Sequence, residues 1–329
     1  MRAGIRCLAI ICVAVLSIGS ATAQTSQNWP SHPITLTVPF GPGSGSDTVA
    51  RIIAGRVAEI LGQPMIVENF GGAGGTIAVS RVAKAAPDGY QVVLGAVDTF
   101  AQSQSLFKEQ PYDSAADFEP VALAVEQPLI LITRTGIPAT NLKDFAAYAK
   151  VNQNRMQFGS TGVGSGPYLA CYLLNAAMGV TVTSVPYRSS APAFTDMMAG
   201  TLDYYCPLAV GAIPFIDNKQ VNALAILTAE RSSLLPDLPT AKEQGFNVTD
   251  GYYWMGFFLP KGTPGAIVAK LNGAIVAALD TPAVQERLRV VATTAVPPER
   301  RTPAYLRSYL AGEISKWRDI MKTGGVMPQ

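Results

Sequence analysis

Short apolar segments alternate with longer amphipathic ones along most of the chain after residue 33. The short segments predict strands at Ile34–Val38, Met65–Glu68, Gln91–Leu94, Leu129–Thr133, Gln157–Gly159, Val182–Val185, Leu202–Tyr205, Ala223–Leu227 and Trp254–Leu259. The amphipathic segments predict helices at Asp47–Leu61, Ile77–Ala85, Leu142–Lys150, Tyr168–Met178, Ala191–Ala199, Ala266–Ala278, Pro282–Val290 and Pro303–Lys322. Because strands that alternate with helices are typical of βαβ units, we predict an α/β fold with largely parallel sheets.

The first 23 residues have the features of an export signal. Arg2 and Arg6 precede an apolar run from Cys7 to about Ile18, and Ala21-Thr22-Ala23 has the A-x-A pattern of a cleavage site. The apolar run is shorter than the roughly 20 residues that span a bilayer, although a retained membrane anchor is the alternative interpretation. We therefore expect export to the periplasm with cleavage after Ala23. The 306 residues that remain are enough for two domains.

Composition and charge exclude several classes of protein. The chain is 48% hydrophobic and 15% charged, which is too apolar for a disordered chain. Removal of the signal takes two Arg with it, so 23 basic residues balance 23 acidic ones, and nucleic acid is not an expected partner. His32 is the single histidine, which argues against His-based catalysis or a His-rich metal site. We expect no metal and no other cofactor.

Two cysteines, Cys171 and Cys206, remain after the signal is removed. An oxidising compartment favours a disulfide between them, and two buried free thiols are the alternative. A disulfide that closes a loop of about 35 residues would contribute roughly 3–4 kcal/mol of stability.

Three predicted strands run into loops rich in Gly and Ser, and each loop leads into a predicted helix. The loops are Pro39–Asp47, Asn69–Thr76 and Gly159–Pro167. Glycine lets backbone N–H groups approach a ligand, and the N-terminus of a helix adds unpaired N–H donors, so together they predict an anion-binding cleft. Tight turns without a ligand are the alternative. The loops lack the complete G-x-G-x-x-G, P-loop and G-x-S-x-G patterns of nucleotide-binding proteins and hydrolases.

Several side chains outside the Gly and Ser positions are candidates for the same cleft, each with a plainer interpretation. Asp47 and Asp98 are candidate carboxylates, and N-capping of a helix is the alternative for Asp47. Tyr187 is one of several aromatic residues that either line the cleft or pack half-buried. Arg188 is the best cationic candidate for a second ligand carboxylate, and a solvated surface arginine is its alternative.

A series of short motifs resembles the Bug family, the extracytoplasmic solute receptors of tripartite tricarboxylate transporters. The resemblance covers nearly all of the chain after the signal. Its motifs are Trp29-Pro30, Val38-Pro39-Phe40 leading to Asp47, Leu61-Gly62-Gln63-Pro64, Val67-Glu68-Asn69, Gly71-Gly72-Ala73-Gly74-Gly75, Pro87-Asp88-Gly89-Tyr90, Val185-Pro186-Tyr187, Leu235-Pro236-Asp237-Leu238-Pro239-Thr240 and Lys261-Gly262-Thr263-Pro264. Each motif alone is weak, but their order along one chain is specific.

The resemblance implies a periplasmic-binding-protein (Venus-flytrap) fold of two α/β lobes, with a mainly parallel sheet in each lobe. Lobe 1 would comprise residues 24–125 and 253–329, and lobe 2 residues 126–252. A small organic acid would bind between the lobes and be delivered to the membrane permease subunits of a transporter by a monomeric, non-enzymatic receptor. A sensory receptor and an exported Ser/Thr-dependent hydrolase are the alternatives.

The family holds its ligand with the first and third loops, which supplies most of the candidate residues. From the first loop these are Phe40, Gly41, Pro42, Gly43, Ser44, Gly45, Ser46 and Asp47; from the third they are Ser160, Thr161, Gly162, Gly164 and Ser165. Tyr168, Asp98 and Thr99 are further ligand-binding candidates, and they lie at two positions that depart from the family pattern. Tyr168 stands where many members have a histidine, and Val97-Asp98-Thr99-Phe100 replaces a common Ser-Gly-Thr-His. Asp98 would repel a carboxylate unless it meets an amine, a hydroxyl or a water, and structural capping is its alternative role.

Overall fold

The computed structural model describes residues 28–232, 235–248 and 252–323. The predicted export signal and its cleavage site lie outside the described residues. The strands are β1 (Ile34–Val38), β2 (Met65–Asn69), β3 (Gln91–Ala96), β4 (Phe118–Gln127), β5 (Ile130–Arg134), β6 (Gln157–Ser160), β7 (Thr183–Pro186), β8 (Tyr204–Tyr205), β9 (Val221–Ile226), β10 (Tyr253–Pro260) and β11 (Thr294–Ala295).

Helices fill most of the connections between these strands. They are α1 (Gly45–Leu61), α2 (Thr76–Ala83), α3 (Ser103–Leu106), α4 (Leu142–Asn152), α5 (Gly166–Met178), α6 (Ser190–Met198), α7 (Ala209–Asp217), α8 (Gly265–Leu279), α9 (Pro282–Val290) and α10 (Pro303–Thr323). A π-helix covers Val97–Gln102, directly after β3. Within the described ranges no single helix is long and apolar enough to cross a membrane, and α8 and α9 meet that criterion only as a pair bent by 69°.

The strands form two sheets, which confirms the predicted two-lobed α/β fold. The first sheet has the order β11-β4-β10-β3-β1-β2, and the second has the order β7-β6-β8-β5-β9. The chain passes from the first sheet to the second between β4 and β5 and returns between β9 and β10. Near these crossings the backbone N–H of Leu227 donates to the carbonyl of Leu129 at 2.9 Å, so the two crossing segments lie side by side. The residue limits of the lobes stay a prediction.

The expectation of mainly parallel sheets is wrong, because both sheets are mixed. β1 pairs in parallel with β2 and β3, and β6 pairs in parallel with β7 and β8. β10 is antiparallel to both β3 and β4, and β5 is antiparallel to β8 and β9. The reason is the connectivity: β10 enters the first sheet from the other lobe without a preceding crossover helix, so nothing forces it to run parallel to its neighbours.

The sequence patterns do not predict β4, a ten-residue strand in the first sheet, or α7 in the second lobe. Pro120 lies inside β4 and cannot donate to the strand ladder, which normally argues against a strand. β4 is also buried along most of its length, so its apolar residues do not alternate with polar ones. Pro214 lies inside α7, and because proline normally interrupts a helix, the sequence pattern does not predict this one.

The second lobe contains the predicted disulfide between Cys171 and Cys206. Their Cα atoms are 5.6 Å apart and both side chains are fully buried. Cys171 lies in α5, and Cys206 follows β8 directly. The bond therefore ties α5 to the sheet on which it packs, and it holds the N-terminus of α5 at the edge that faces the first lobe.

Candidate functional site: a cleft between the two lobes

The two lobes are closed on each other, and glycines lie where their backbones approach most nearly. A Cβ atom added to Gly74 would lie 2.5 Å from the carbonyl oxygen of Val163, and one added to Gly45 would lie 2.6 Å from Cγ1 of Val210. Real Cβ contacts are never so short, so only glycine fits at these two positions when the lobes are closed.

A cavity remains between the closed lobes at the ends of β1, β3 and β6. The first lobe lines it with Phe40, Ser44, Gly45, Ser46 and Asp98, the second with Thr161, Pro167, Ser190 and Leu208, and Tyr253 lies where β10 enters from the crossing. The cavity is narrow in this arrangement, with room for about one ordered water. An organic ligand therefore requires the lobes to close around it at a slightly wider spacing.

The first loop holds its own shape through Ser44 and Asp47. The Ser44 hydroxyl accepts a hydrogen bond from the backbone N–H of Asp47 at 3.2 Å, so Ser44, not Asp47, is the N-cap of α1. The Asp47 carboxylate accepts from the backbone N–H of Gly43 and from Nε of Arg51, both at 2.9 Å. Burial raises the pKa of Asp47, but the hydrogen bonds from Arg51, Gly43 and Asn69 outweigh it and the net shift is downward.

Not every candidate of the first loop reaches the cavity. Phe40, Ser44, Gly45 and Ser46 line it. Asp47 lies instead in a groove between α1 and α9 on the outer side of the loop. Pro42 and Gly43 are exposed, and Gly41 lies against the backbone carbonyl of Arg188 in the other lobe.

The hydroxyls of the third loop mostly hold the loop together. Ser160 Oγ accepts from Ser184 Oγ at 3.0 Å and from the N–H of Gly162 at 3.4 Å. Ser165 Oγ donates to the carbonyl of Gly162 at 2.8 Å and accepts from the N–H of Tyr168, which makes Ser165 the N-cap of α5. Gly162 and Gly164 both have positive φ, at 106° and 87°. Among the third-loop candidates, Thr161 is the one that lines the cavity.

Asp98 joins the two lobes at the inner end of the cavity. Its side chain is fully buried on the π-helix after β3. Oδ2 accepts from the backbone N–H of Gly166, the first residue of α5, at 3.0 Å and from the hydroxyl of Tyr253 at 2.7 Å; Oδ1 accepts from the N–H of Thr99 at 2.7 Å. A carboxylate from the first lobe therefore occupies the N-terminal donor of a helix in the second lobe.

The environment of Asp98 is buried and holds no compensating cation. Burial raises the pKa of Asp98 to about 6, and the hydrogen bonds from Gly166, Tyr253 and Thr99 limit the rise. None of the ion pairs among the described residues includes Asp98. Burial and the charge of Asp98 raise the pKa of Tyr253 far above its ordinary value, so the phenol stays protonated as a donor.

The remaining candidates lie around the cavity without lining it. Thr99 Oγ1 accepts from the N–H of Ala96 at 3.1 Å and so closes the turn that begins the π-helix. Tyr168 stacks on Tyr172, with ring centroids 6.0 Å apart. The Tyr187 hydroxyl donates to Asp196 at 2.7 Å, away from the cleft. The side chain of Arg188 is exposed.

Four lining residues are absent from the sequence-based set: Pro167, Ser190, Leu208 and Tyr253. Pro167 and Ser190 could have been predicted from the sequence, because each lies in the first turn of a helix that follows a strand end. Pro167 ends the third loop, and Ser190 follows β7. Tyr253 is one of the aromatic residues near predicted strand ends that either line the cleft or pack half-buried, and it reaches the cavity through the return crossing. Leu208 carries no signal, since it precedes a helix that the sequence does not predict. Among the described residues, no cluster of His, Cys, Asp or Glu side chains is suited to a metal ion.

Comparison with known proteins identifies relatives over almost the whole chain. Residues 49–326 match the family model described as "Tripartite tricarboxylate transporter family receptor". The chain is 36% identical to the UPF0065 protein of the TAR-I ttuE-ttuC' intergenic region of Agrobacterium vitis, covering 92% of this chain and 87% of that protein. It is 32% identical to Protein BugT of Bordetella pertussis, covering 97% and 98%.

Solved structures agree with the family match. The periplasmic binding protein BugD superposes with a TM-score of 0.88 at 34% identity, covering 92% of this chain and all of that one. MatC from Rhodopseudomonas palustris with bound malate superposes with a TM-score of 0.86 at 40% identity, covering 89% and 99%. R. palustris Rpa4515 with adipate gives 0.86 at 31% identity, covering 92% and 100%.

Proposed function

The chain belongs to the tripartite tricarboxylate transporter receptor family, and from this membership we propose that it is a periplasmic binding protein which captures a small organic carboxylate by closing its two lobes. Two relatives of the same fold were solved with malate and with adipate, which supports a carboxylate as the class of ligand. We further propose that the loaded, closed form delivers the ligand to the permease subunits of a transporter.

The observation that carries this proposal is the cavity between the lobes, which has polar groups on both walls. On the first wall, α1 begins at Gly45 and Ser46, and the first N–H groups of a helix have no acceptor within that helix. On the opposite wall are the hydroxyls of Thr161 and Ser190. A carboxylate that accepts hydrogen bonds from both walls stabilises the closed form over the open one, because only the closed form offers both sets of donors.

The apolar lining supplies the rest of the affinity. Phe40, Pro167 and Leu208 are buried and surround the polar groups. A micromolar dissociation constant corresponds to about −8 kcal/mol, which a few charge-assisted hydrogen bonds and burial of a short carbon skeleton supply after the cost of ordering. His32, the single histidine, stacks on Tyr90 outside the cleft, with ring centroids 3.5 Å apart.

A thermal-shift screen followed by calorimetry tests the proposed function. The panel contains aliphatic and aromatic mono-, di- and tricarboxylic acids, and we expect at least one acid to raise the melting temperature in a concentration-dependent way. Thr161→Val removes a cavity hydroxyl with little change in shape and should weaken binding by about tenfold, the worth of a charge-assisted hydrogen bond.

Thr133→Val is the matched control for this experiment. The Thr133 hydroxyl is buried on β5 and has no hydrogen-bond partner among the residues that the structure describes, so the same exchange there should leave the affinity unchanged. A panel in which no acid binds contradicts the proposed function. Unchanged affinity in Thr161→Val removes Thr161 from the site.

A further inference from the structure

We propose that Asp98 determines which carboxylates this receptor accepts: acids with a single carboxylate that present an ammonium or hydroxyl group to Asp98, in preference to dicarboxylates of the same length. This inference rests on the proposed function, since it concerns the ligand of the same cavity. It follows from the position of Asp98, from its hydrogen-bond partners and from the lack of a cation beside it.

The negative charge of Asp98 reaches the cavity without a partner of opposite charge. Asp98 lines the cavity and is fully buried. The donors to its carboxylate are the neutral groups of Gly166, Tyr253 and Thr99, and the ion pairs of the described residues do not include it. A second carboxylate placed against it by a ligand would meet a like charge in a medium of low dielectric constant, where repulsion is strong.

The N-termini of α1, α5 and α6 face the cavity, and Asp98 already occupies that of α5. The N–H of Gly166 begins the 13-residue helix α5 and donates to Asp98. The 17-residue helix α1 begins at Gly45 and Ser46, and no carboxylate of the first loop occupies their N–H groups, because Asp47 turns outward to Gly43 and Arg51. A ligand carboxylate therefore finds its donors at α1 and α6, and its other end extends toward Asp98.

Asp98 can still accept one more hydrogen bond. A carboxylate oxygen accepts two hydrogen bonds, and Oδ2 already has two, from Gly166 and Tyr253. Oδ1 accepts one from the N–H of Thr99, and the backbone N–H of Asp98 itself also interacts with the carboxylate. An ammonium or hydroxyl group of the ligand can donate to Oδ1 as well, whereas a carboxylate has no hydrogen to donate to it.

Calorimetry with matched acids tests this assignment. Each set contains three straight-chain acids of equal carbon number, from three to six carbons, whose far end is a carboxylate, a hydroxyl or an ammonium group. At pH 7.5 we expect the wild type to bind the amino or hydroxy acid of the best-fitting set about tenfold or more tightly than the diacid. In Asp98→Asn the charge is absent, and this preference should fall by about tenfold.

Asp203→Asn is the matched control. Asp203 is a carboxylate in the second lobe that accepts from Arg134 Nε and the N–H of Gln157, and it does not line the cavity. That variant should keep the wild-type order of affinities even if it is less stable. A wild type that binds the diacid most tightly, or an Asp98→Asn variant with an unchanged ratio, overturns the inference while carboxylate binding itself stands. If no acid of the sets or of the wider panel binds, the result contradicts the proposed function, and the inference falls with it.

Discussion

Replacing Asp98 by asparagine should change how the stability of the protein depends on pH. Folding raises the pKa of this carboxyl from 3.8 to about 6, because the folded protein buries it. The raised pKa means that the folded state holds the proton more tightly than the unfolded state does. The stabilisation from protonated Asp98 is therefore fully present below about pH 3.8 and is lost as the pH rises through about 6.

The magnitude follows from the two pKa values. A difference of about two in pKa corresponds to about 3 kcal/mol between the low-pH and high-pH limits. Asp98→Asn has no proton to lose at this position and lacks this contribution. Relative to the wild type, the variant should therefore gain about 2 kcal/mol of unfolding free energy between pH 4 and pH 8, with most of the gain between pH 4 and pH 6.

Urea unfolding of both proteins at pH 4, 5, 6, 7 and 8 measures this difference, and contributions from other groups cancel in the subtraction. Asp47→Asn is the control, because hydrogen bonds lower the pKa of Asp47. Its stabilisation is present above the unfolded pKa and is lost only as the pH falls through the lower, folded value, so its difference from wild type should stay level between pH 5 and pH 8. A level difference for Asp98→Asn as well would refute the view that burial of an uncompensated carboxylate dominates at this site.

Two further predictions concern the second lobe and closure. Replacing Cys171 and Cys206 by alanine should lower the unfolding free energy by about 4 kcal/mol, because the bond closes a loop of 35 residues. Urea unfolding of the oxidised wild type and of the variant measures this difference. A loss below about 1 kcal/mol would mean that the bond adds little stability. Gly45→Ala should reduce ligand affinity by more than about tenfold, because the added methyl meets Leu208 and Val210 only when the lobes are closed. Small-angle scattering should then show that ligand no longer compacts the variant, and wild-type affinity would show that the ligand-bound lobes stand far enough apart to admit the added methyl group.

Local patterns predict the elements whose apolar residues follow one period and whose ends are marked by turn residues. β1 has the predicted limits, and α1 begins two residues before the predicted start, at the end of the Gly and Ser loop. β4 is not predicted in this way, because it is buried along most of its length and contains Pro120. Its strand character depends on β10, which arrives from the other lobe more than a hundred residues later and pairs with it. A single-sequence pattern contains no information on that pairing.

In the site, too, some features follow from neighbouring residues in the sequence, and others depend on residues that are distant in the sequence. The first and third loops are correctly placed at strand ends, because glycine, serine and a following helix are local signals. The direction of each side chain is not local. Asp47 turns outward because the N–H of Gly43 and the guanidinium of Arg51 lie on that side, and a pattern that places Asp47 in the loop cannot distinguish the two faces. Tyr253 lines the cavity through the return crossing, which no local period reveals.

Closure of an α/β receptor of this kind brings helix N-termini from opposite lobes to one narrow space. Each terminus favours a negative charge by about 0.3–1 kcal/mol when exposed and by up to about 2 kcal/mol when partly buried. Asp98 provides that charge for α5 from within the protein, so the closed form has one of these termini occupied before any ligand arrives. On the proposed function, the ligand carboxylate occupies another at α1. The fixed carboxylate makes a second ligand charge unfavourable at its end of the cavity, so occupation of the α5 N-terminus and discrimination against diacids are two consequences of one buried side chain.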